Sequence, residues 1–64
     1  MLNSMEKGVR LAINAGGGLR EFARKLGISK QAVQQWTQVP AHRIIEIERL
    51  TGVPREKLRP DLYR

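Results

Sequence analysis

The stretch Leu19-Arg20-Glu21-Phe22-Ala23-Arg24-Lys25-Leu26-Gly27-Ile28-Ser29-Lys30-Gln31-Ala32-Val33-Gln34-Gln35-Trp36 decides the fold. Leu19, Phe22, Ala23 and Leu26 recur at helical spacing, so the sequence predicts a helix over 19–26 with one apolar stripe. Gly27 stops it, Ile28 follows as an apolar turn residue, and Ser29 is a good N-cap for the next helix. That helix is expected over 30–37, with Val33 and Trp36 inward and Lys30, Gln31, Gln34 and Gln35 outward. Two helices joined by a short turn containing glycine define the helix-turn-helix. Ala23 is small where the two helices must approach closely, and Gly27 lets the backbone turn sharply. Val33 plugs the angle between the helices and Trp36 closes it from the next turn. An alanine and a glycine four residues apart are a weak signal; together with Phe22, Leu26, Ile28, Val33 and Trp36 they are a specific one. Trp36 has the chemistry to stack on a base, but its spacing from Val33 assigns it to the core.

The flanks read as further helices. Asn3 and Glu6 resemble a capping box, so a first helix is expected from near Ser4, with Met5, Val9, Ala12 and Ile13 on one face. Gly8 inside it costs about 1 kcal/mol relative to alanine. Gly16-Gly17-Gly18 ends this helix. Pro40 suits the first position of a fourth helix, in which Ile44, Ile47, Leu50 and Thr51 share a face until Gly52. Pro54 opens a short final turn at about 55–58, and the tail 59–64 is expected to be loosely ordered. The expectation is a compact all-α domain of four to five helices spanning 1–64, with its motif at about 19–38.

A chain of 64 residues leaves little interior for an enzyme cleft, whereas a binding surface needs none. Such a domain buries only about 60% of the surface its unfolded chain exposes. With no cysteine, disulfide scaffolds and thiolate metal sites are excluded; one histidine and a handful of carboxylates argue against a metal site of any kind, and no cofactor is expected. The glycine triplet lacks the Gly-Lys-Ser or Gly-Lys-Thr of a phosphate-binding loop, and no strand precedes it. No apolar run is long enough to span a bilayer, and the N-terminus lacks the apolar region of a secretory signal, so the expected location is cytoplasmic. Twelve Lys and Arg against six Asp and Glu leave a net charge of +6, which points to a polyanionic partner, nucleic acid first.

The stretch from Leu19 to Trp36 resembles the helix-turn-helix of the lambda-repressor-like superfamily, and is most similar to phage Cro repressors and to the Cro-like YdaS antitoxin family. The likeness extends through Val39-Pro40-Ala41, Ile47-Glu48, Thr51-Gly52 and Leu58-Arg59-Pro60-Asp61-Leu62. It implies a lambda-repressor-like domain whose recognition helix enters the major groove of DNA. Ser29, Lys30, Gln31, Gln34 and Gln35 would be the base readers, with Lys30, Gln31 and Gln35 the first choices: glutamine pairs with adenine, lysine with guanine. Phosphate contacts would come from Gly18 and Arg20 at the start of the second helix, and from Thr37, Gln38, His42 and Arg43 near the start of the fourth. Arg10 and Lys25 are weaker candidates. Arg24, Glu46 and Glu48 read as solvated charges.

The resemblance implies a transcriptional repressor from a phage or prophage, acting in a bacterial cell or a phage-infected host. It would bind a short palindromic operator in double-stranded DNA as a homodimer, formed on DNA if not before it. The rival expectation is a module that neutralises a companion toxin protein. An exposed Ile45, off the main apolar stripe, would serve self-association; alternatively it closes the edge of the core.

Overall fold

A glycine with a positive φ, a serine cap and a proline punctuate the chain where three of its helices end or begin. The computed structural model describes residues 5–63, and in it α1 (Lys7–Ala15), α2 (Leu19–Leu26), α3 (Lys30–Gln34), α4 (Ile44–Thr51) and α5 (Arg55–Leu58) follow one another. A 3-10 turn at Ala41–Arg43 leads into α4. No strand occurs among the described residues, in agreement with the all-α expectation. Gly27 closes α2 at φ 75°, a left-handed conformation that side chains with a Cβ resist. The Ser29 hydroxyl then accepts the Ala32 N–H at 3.1 Å, satisfying one of the orphan donors of α3. Ser29→Ala is expected to cost about 1 kcal/mol. In thermal unfolding followed by circular dichroism this should lower Tm by about 4–8 °C.

Each helix supplies the core. Val9 and Ala12 come from α1, Phe22, Ala23 and Leu26 from α2, Val33 from α3, Ile44 and Ile47 from α4, and Leu58 from α5, with Val39 inserted from the loop before the 3-10 turn. Trp36 packs edge-on against Phe22, ring centroids 6.2 Å apart, in the T-shaped arrangement aromatic quadrupoles favour. The wedge assigned to Val33 and Trp36 is therefore present, with Val33 fully buried and Trp36 partly so.

Several local expectations are corrected by contacts distant in sequence. The third helix ends at Gln34 instead of reaching Thr37. The Gln35 and Trp36 amides bond the carbonyls of Ala32 and Val33, tightening the last turn so that Trp36 swings toward Phe22. The Thr37 carbonyl accepts the Glu6 N–H at 2.8 Å. That same bond holds Glu6 in extended conformation, so α1 begins at Lys7 and Met5 and Glu6 precede it. Asn3 and Ser4, where the capping box and the helix start were expected, lie outside the described residues. Pro40 flanks the 3-10 turn and α4 proper starts only at Ile44.

On α4, Ile44 and Ile47 face inward, but Leu50 does not: it is 40% exposed, at the edge of the face. Thr51 turns its hydroxyl onto the Ile47 carbonyl at 2.7 Å. Glu48 is not merely solvated. Its carboxylate accepts the Arg55 backbone N–H at 3.0 Å and pairs with the Arg55 guanidinium at 3.1 Å, fastening α5 to α4.

The tail, expected to be loosely ordered, is tied down from Arg59 to Tyr63. Arg59 is buried, and its Nη1 donates to the Val39 carbonyl at 2.8 Å. Nε and Nη2 of the same guanidinium grip both oxygens of Asp61 at 3.0 and 2.8 Å. Those hydrogen bonds raise the Arg59 pKa above the ordinary guanidinium value, against the opposing effect of burial. Tyr63 packs on the core, with the Arg55 guanidinium 5.7 Å from its ring centre.

Candidate nucleic-acid interface

The helix-turn-helix pair orients α3. Val33 points into the core, so Gln31, two residues before it, and Gln35, two after it, fall on the opposite side, while Lys30 and Gln34 lie on the flanks. Lys30, Gln31, Gln34 and Gln35 are all exposed, as is Ser29. The side chains of Lys30, Gln31 and Gln35 have no hydrogen-bond or ion-pair partner among the described residues. Gln34 is engaged in an interaction within the protein. The Ser29 oxygen already accepts one bond as a cap, leaving its proton to donate. The row thus offers an ammonium and amide edges, each amide carrying a donor and an acceptor.

The residues expected to meet phosphate lie at the start of α2 and in the segment that follows α3. At the start of α2, the Gly18 amide is already committed to the Ile13 carbonyl at 2.9 Å. The first-turn amides of Leu19, Arg20 and Glu21 have no side-chain cap and stand where an anion would be stabilised. Arg20 is exposed beside them. Glu21 places a carboxylate at the same helix end, and Arg24 neutralises it in an exposed ion pair. The Arg24 hydrogen bond holds the Glu21 carboxyl below its ordinary pKa, so that carboxylate remains charged and paired. Arg24 is thus engaged in an exposed ion pair with Glu21, where simple solvation was expected.

After α3, Thr37, Gln38 and His42 are exposed, and Arg43 is half-buried with its Nη1 3.1 Å from a Glu46 oxygen. The Arg43 guanidinium is thus shared with Glu46, whereas Arg20 has no ion-pair partner among the described residues. Lys25 is drawn back to the Gly16 carbonyl at 3.2 Å, bracing the glycine turn. Arg10 is exposed on α1.

Sequence reasoning did not find Arg59, which reaches the loop after α3 from 20 residues away. Only the basic residue within the Leu58–Leu62 stretch signalled it. Ile45 is 39% exposed and so does not close the core edge; Leu62, at 51%, is exposed as well. No helix among the described residues is long and apolar enough to cross a membrane.

The family described as bacterial toxin YdaS matches residues 9–64. The YdaS likeness read from the residues is thus upheld, but that family is described as a toxin where an antitoxin was expected. No curated protein matches the chain. Among solved structures, the Cro protein from prophage element Xfaso 1 in Xylella fastidiosa strain Ann-1 is 36% identical. The match covers 92% of this chain and 98% of that one, with a TM-score of 0.79. The fold is Cro-like, with a helix-turn-helix at its centre.

Proposed function

The chain belongs to the bacterial toxin YdaS family, and from that membership, the Cro likeness and the exposed edge of α3 we propose that it is a DNA-binding regulator and not an enzyme. In this reading it represses transcription by seating α3 in the major groove of a short palindromic operator. The observation that carries it is the uncommitted row of Lys30, Gln31 and Gln35 on a helix whose opposite side is wedged into the core. Such a row has the donors and acceptors that distinguish base pairs, and the wedge fixes it before DNA arrives. Arg20 and the first-turn amides of α2 bind one phosphate, while Thr37, Gln38, His42 and Arg43 serve the strand on the other side of α3. The net charge of +6 supports the long-range attraction to DNA.

One short recognition helix reads few base pairs, so the binding unit is a homodimer on two half-sites about one helical turn apart. The exposed Ile45 supports a self-association surface. Selection of bound sequences from a random duplex pool by the purified chain tests the proposal. Enrichment of an approximate palindrome with that half-site spacing supports it, and recovery of no sequence preference refutes it.

Arg20→Ala is expected to weaken binding to every sequence and to reduce the salt slope by about one phosphate equivalent. The check is a titration of affinity against salt concentration on random DNA; an unchanged slope removes Arg20 from the contact set.

The family's description as a toxin favours a second reading, in which the chain acts on the host through a protein companion. Growth arrest on induced expression separates the two. Arrest that vanishes with Gln31→Ala plus Gln35→Ala follows from DNA binding, and arrest that survives those changes follows from a protein target.

A further inference from the structure

Residues 37–40, before the 3-10 turn, include two of the proposed phosphate ligands, Thr37 and Gln38, and no amide among them donates a helical hydrogen bond. This loop is fixed from inside at two carbonyls. Glu6 N–H donates to Thr37 O at 2.8 Å, and Arg59 Nη1 donates to Val39 O at 2.8 Å. At the second anchor the Val39 side chain is fully buried, while the side chains of Thr37 and Gln38 face solvent.

The Arg59 anchor is itself braced. Asp61 holds the other edge of the guanidinium through two parallel hydrogen bonds, which fixes the plane of the fork and aims Nη1 at Val39. A buried guanidinium gripped on both sides resists displacement more than one satisfied by water. Without Asp61 the Nε and Nη2 edge of the fork would lose its acceptor, leaving the Glu6 carboxylate to act on the guanidinium only through space.

We infer that Arg59, aimed by Asp61, is a positioning residue for DNA binding: it sets the loop that presents Thr37 and Gln38 to the phosphate backbone, without touching DNA itself. This rests on the DNA-binding reading above and assigns the tail a part in it. The C-terminal segment thereby becomes a component of the interface, through one hydrogen bond spanning 20 residues of sequence.

The test uses the full chain carrying Asp61→Asn or Arg59→Lys, at a temperature where circular dichroism shows each variant folded. Affinity for a random-sequence duplex is measured across salt concentrations, and backbone order parameters of residues 37–41 are measured by NMR in the free protein. Asp61→Asn removes a negative charge, so long-range attraction alone would tighten its binding. Positioning predicts the opposite: binding about tenfold weaker, the scale of one charge-assisted hydrogen bond. The salt slope should not fall, because Thr37 and Gln38 are uncharged and displace no counterion, and the order parameters of 37–41 should drop while those of α2 hold.

Arg59→Lys keeps the charge but loses the fork, and is expected to weaken binding in the same way. Unchanged or tighter binding by the folded variants overturns the inference, as do unchanged order parameters. Should Asp61→Asn fail to fold, Arg59→Lys decides alone. A wild-type chain with no affinity for DNA would refute the function itself; the order parameters would still show independently whether Arg59 holds the loop.

Discussion

Gly8→Ala is expected to lower stability by about 2 kcal/mol or more, although alanine is the better helix former by about 1 kcal/mol. The sign is reversed by packing. Gly8 lies in the first turn of α1 and is buried against the backbone of Leu58, at the end of α5. A Cβ at position 8 would collide with the Leu58 carbonyl group, and the obstacle is main chain, not the movable end of a side chain. Relief requires α1 and α5 to separate, which uncovers Leu58, a fully buried core residue. In a domain this small the loss should lower Tm by roughly 10 °C or more, read by calorimetry or circular dichroism. Asn14→Ala, at an exposed position of the same helix, is the control and should stabilise slightly. Equal or greater stability of Gly8→Ala would contradict the close approach of α1 and α5.

Gln31→Ala and Gln35→Ala are each expected to cost about 1–3 kcal/mol on the preferred operator, a loss of roughly 5- to 150-fold, and little on random DNA. Both side chains are exposed and uncommitted in the free protein, so truncation removes nothing that holds the fold. Melting temperatures should therefore stay close to wild type. An amide paired with adenine loses two hydrogen bonds and leaves the base edge unpaired, and this makes the effect specific to the operator. Competition titrations with operator and random duplexes measure the ratio. Equal losses on both would show that these amides do not read bases.

Local chemistry was enough for the central motif. The ends of α2 are marked by Gly18 and Gly27, both at positive φ, and α3 begins behind a serine that caps it. The short α5 begins behind Pro54, as the proline implied. The exposed edge of α3 was legible for a related reason: once Val33 is assigned inward, helical geometry turns Gln31 and Gln35 outward. Termini and pairings were not legible in this way. Where α3 ends depends on Trp36 reaching Phe22, and where α1 starts depends on Glu6 bonding Thr37. Each is a contact between segments that local periodicity treats separately.

The same distinction holds for charge. Twelve basic residues in the sequence point toward a polyanion, yet composition does not show which of them are free. Arg24 is paired with Glu21, Arg43 with Glu46, Arg55 with Glu48 and Arg59 with Asp61. Arg20, expected at the phosphate site, is exposed without such a partner among the described residues.

By itself the sequence determined the all-α class, the helix-turn-helix and the polar face of α3, because turn chemistry and helical periodicity act within a few residues. Tertiary structure alone decided that Gly8 must lack a side chain, that Leu50 sits at the exposed edge of its face, and that Arg59 braces a loop 20 residues upstream. Those outcomes depend on how close two backbones come and which buried carbonyl needs a donor, and neither is defined until distant segments have packed together.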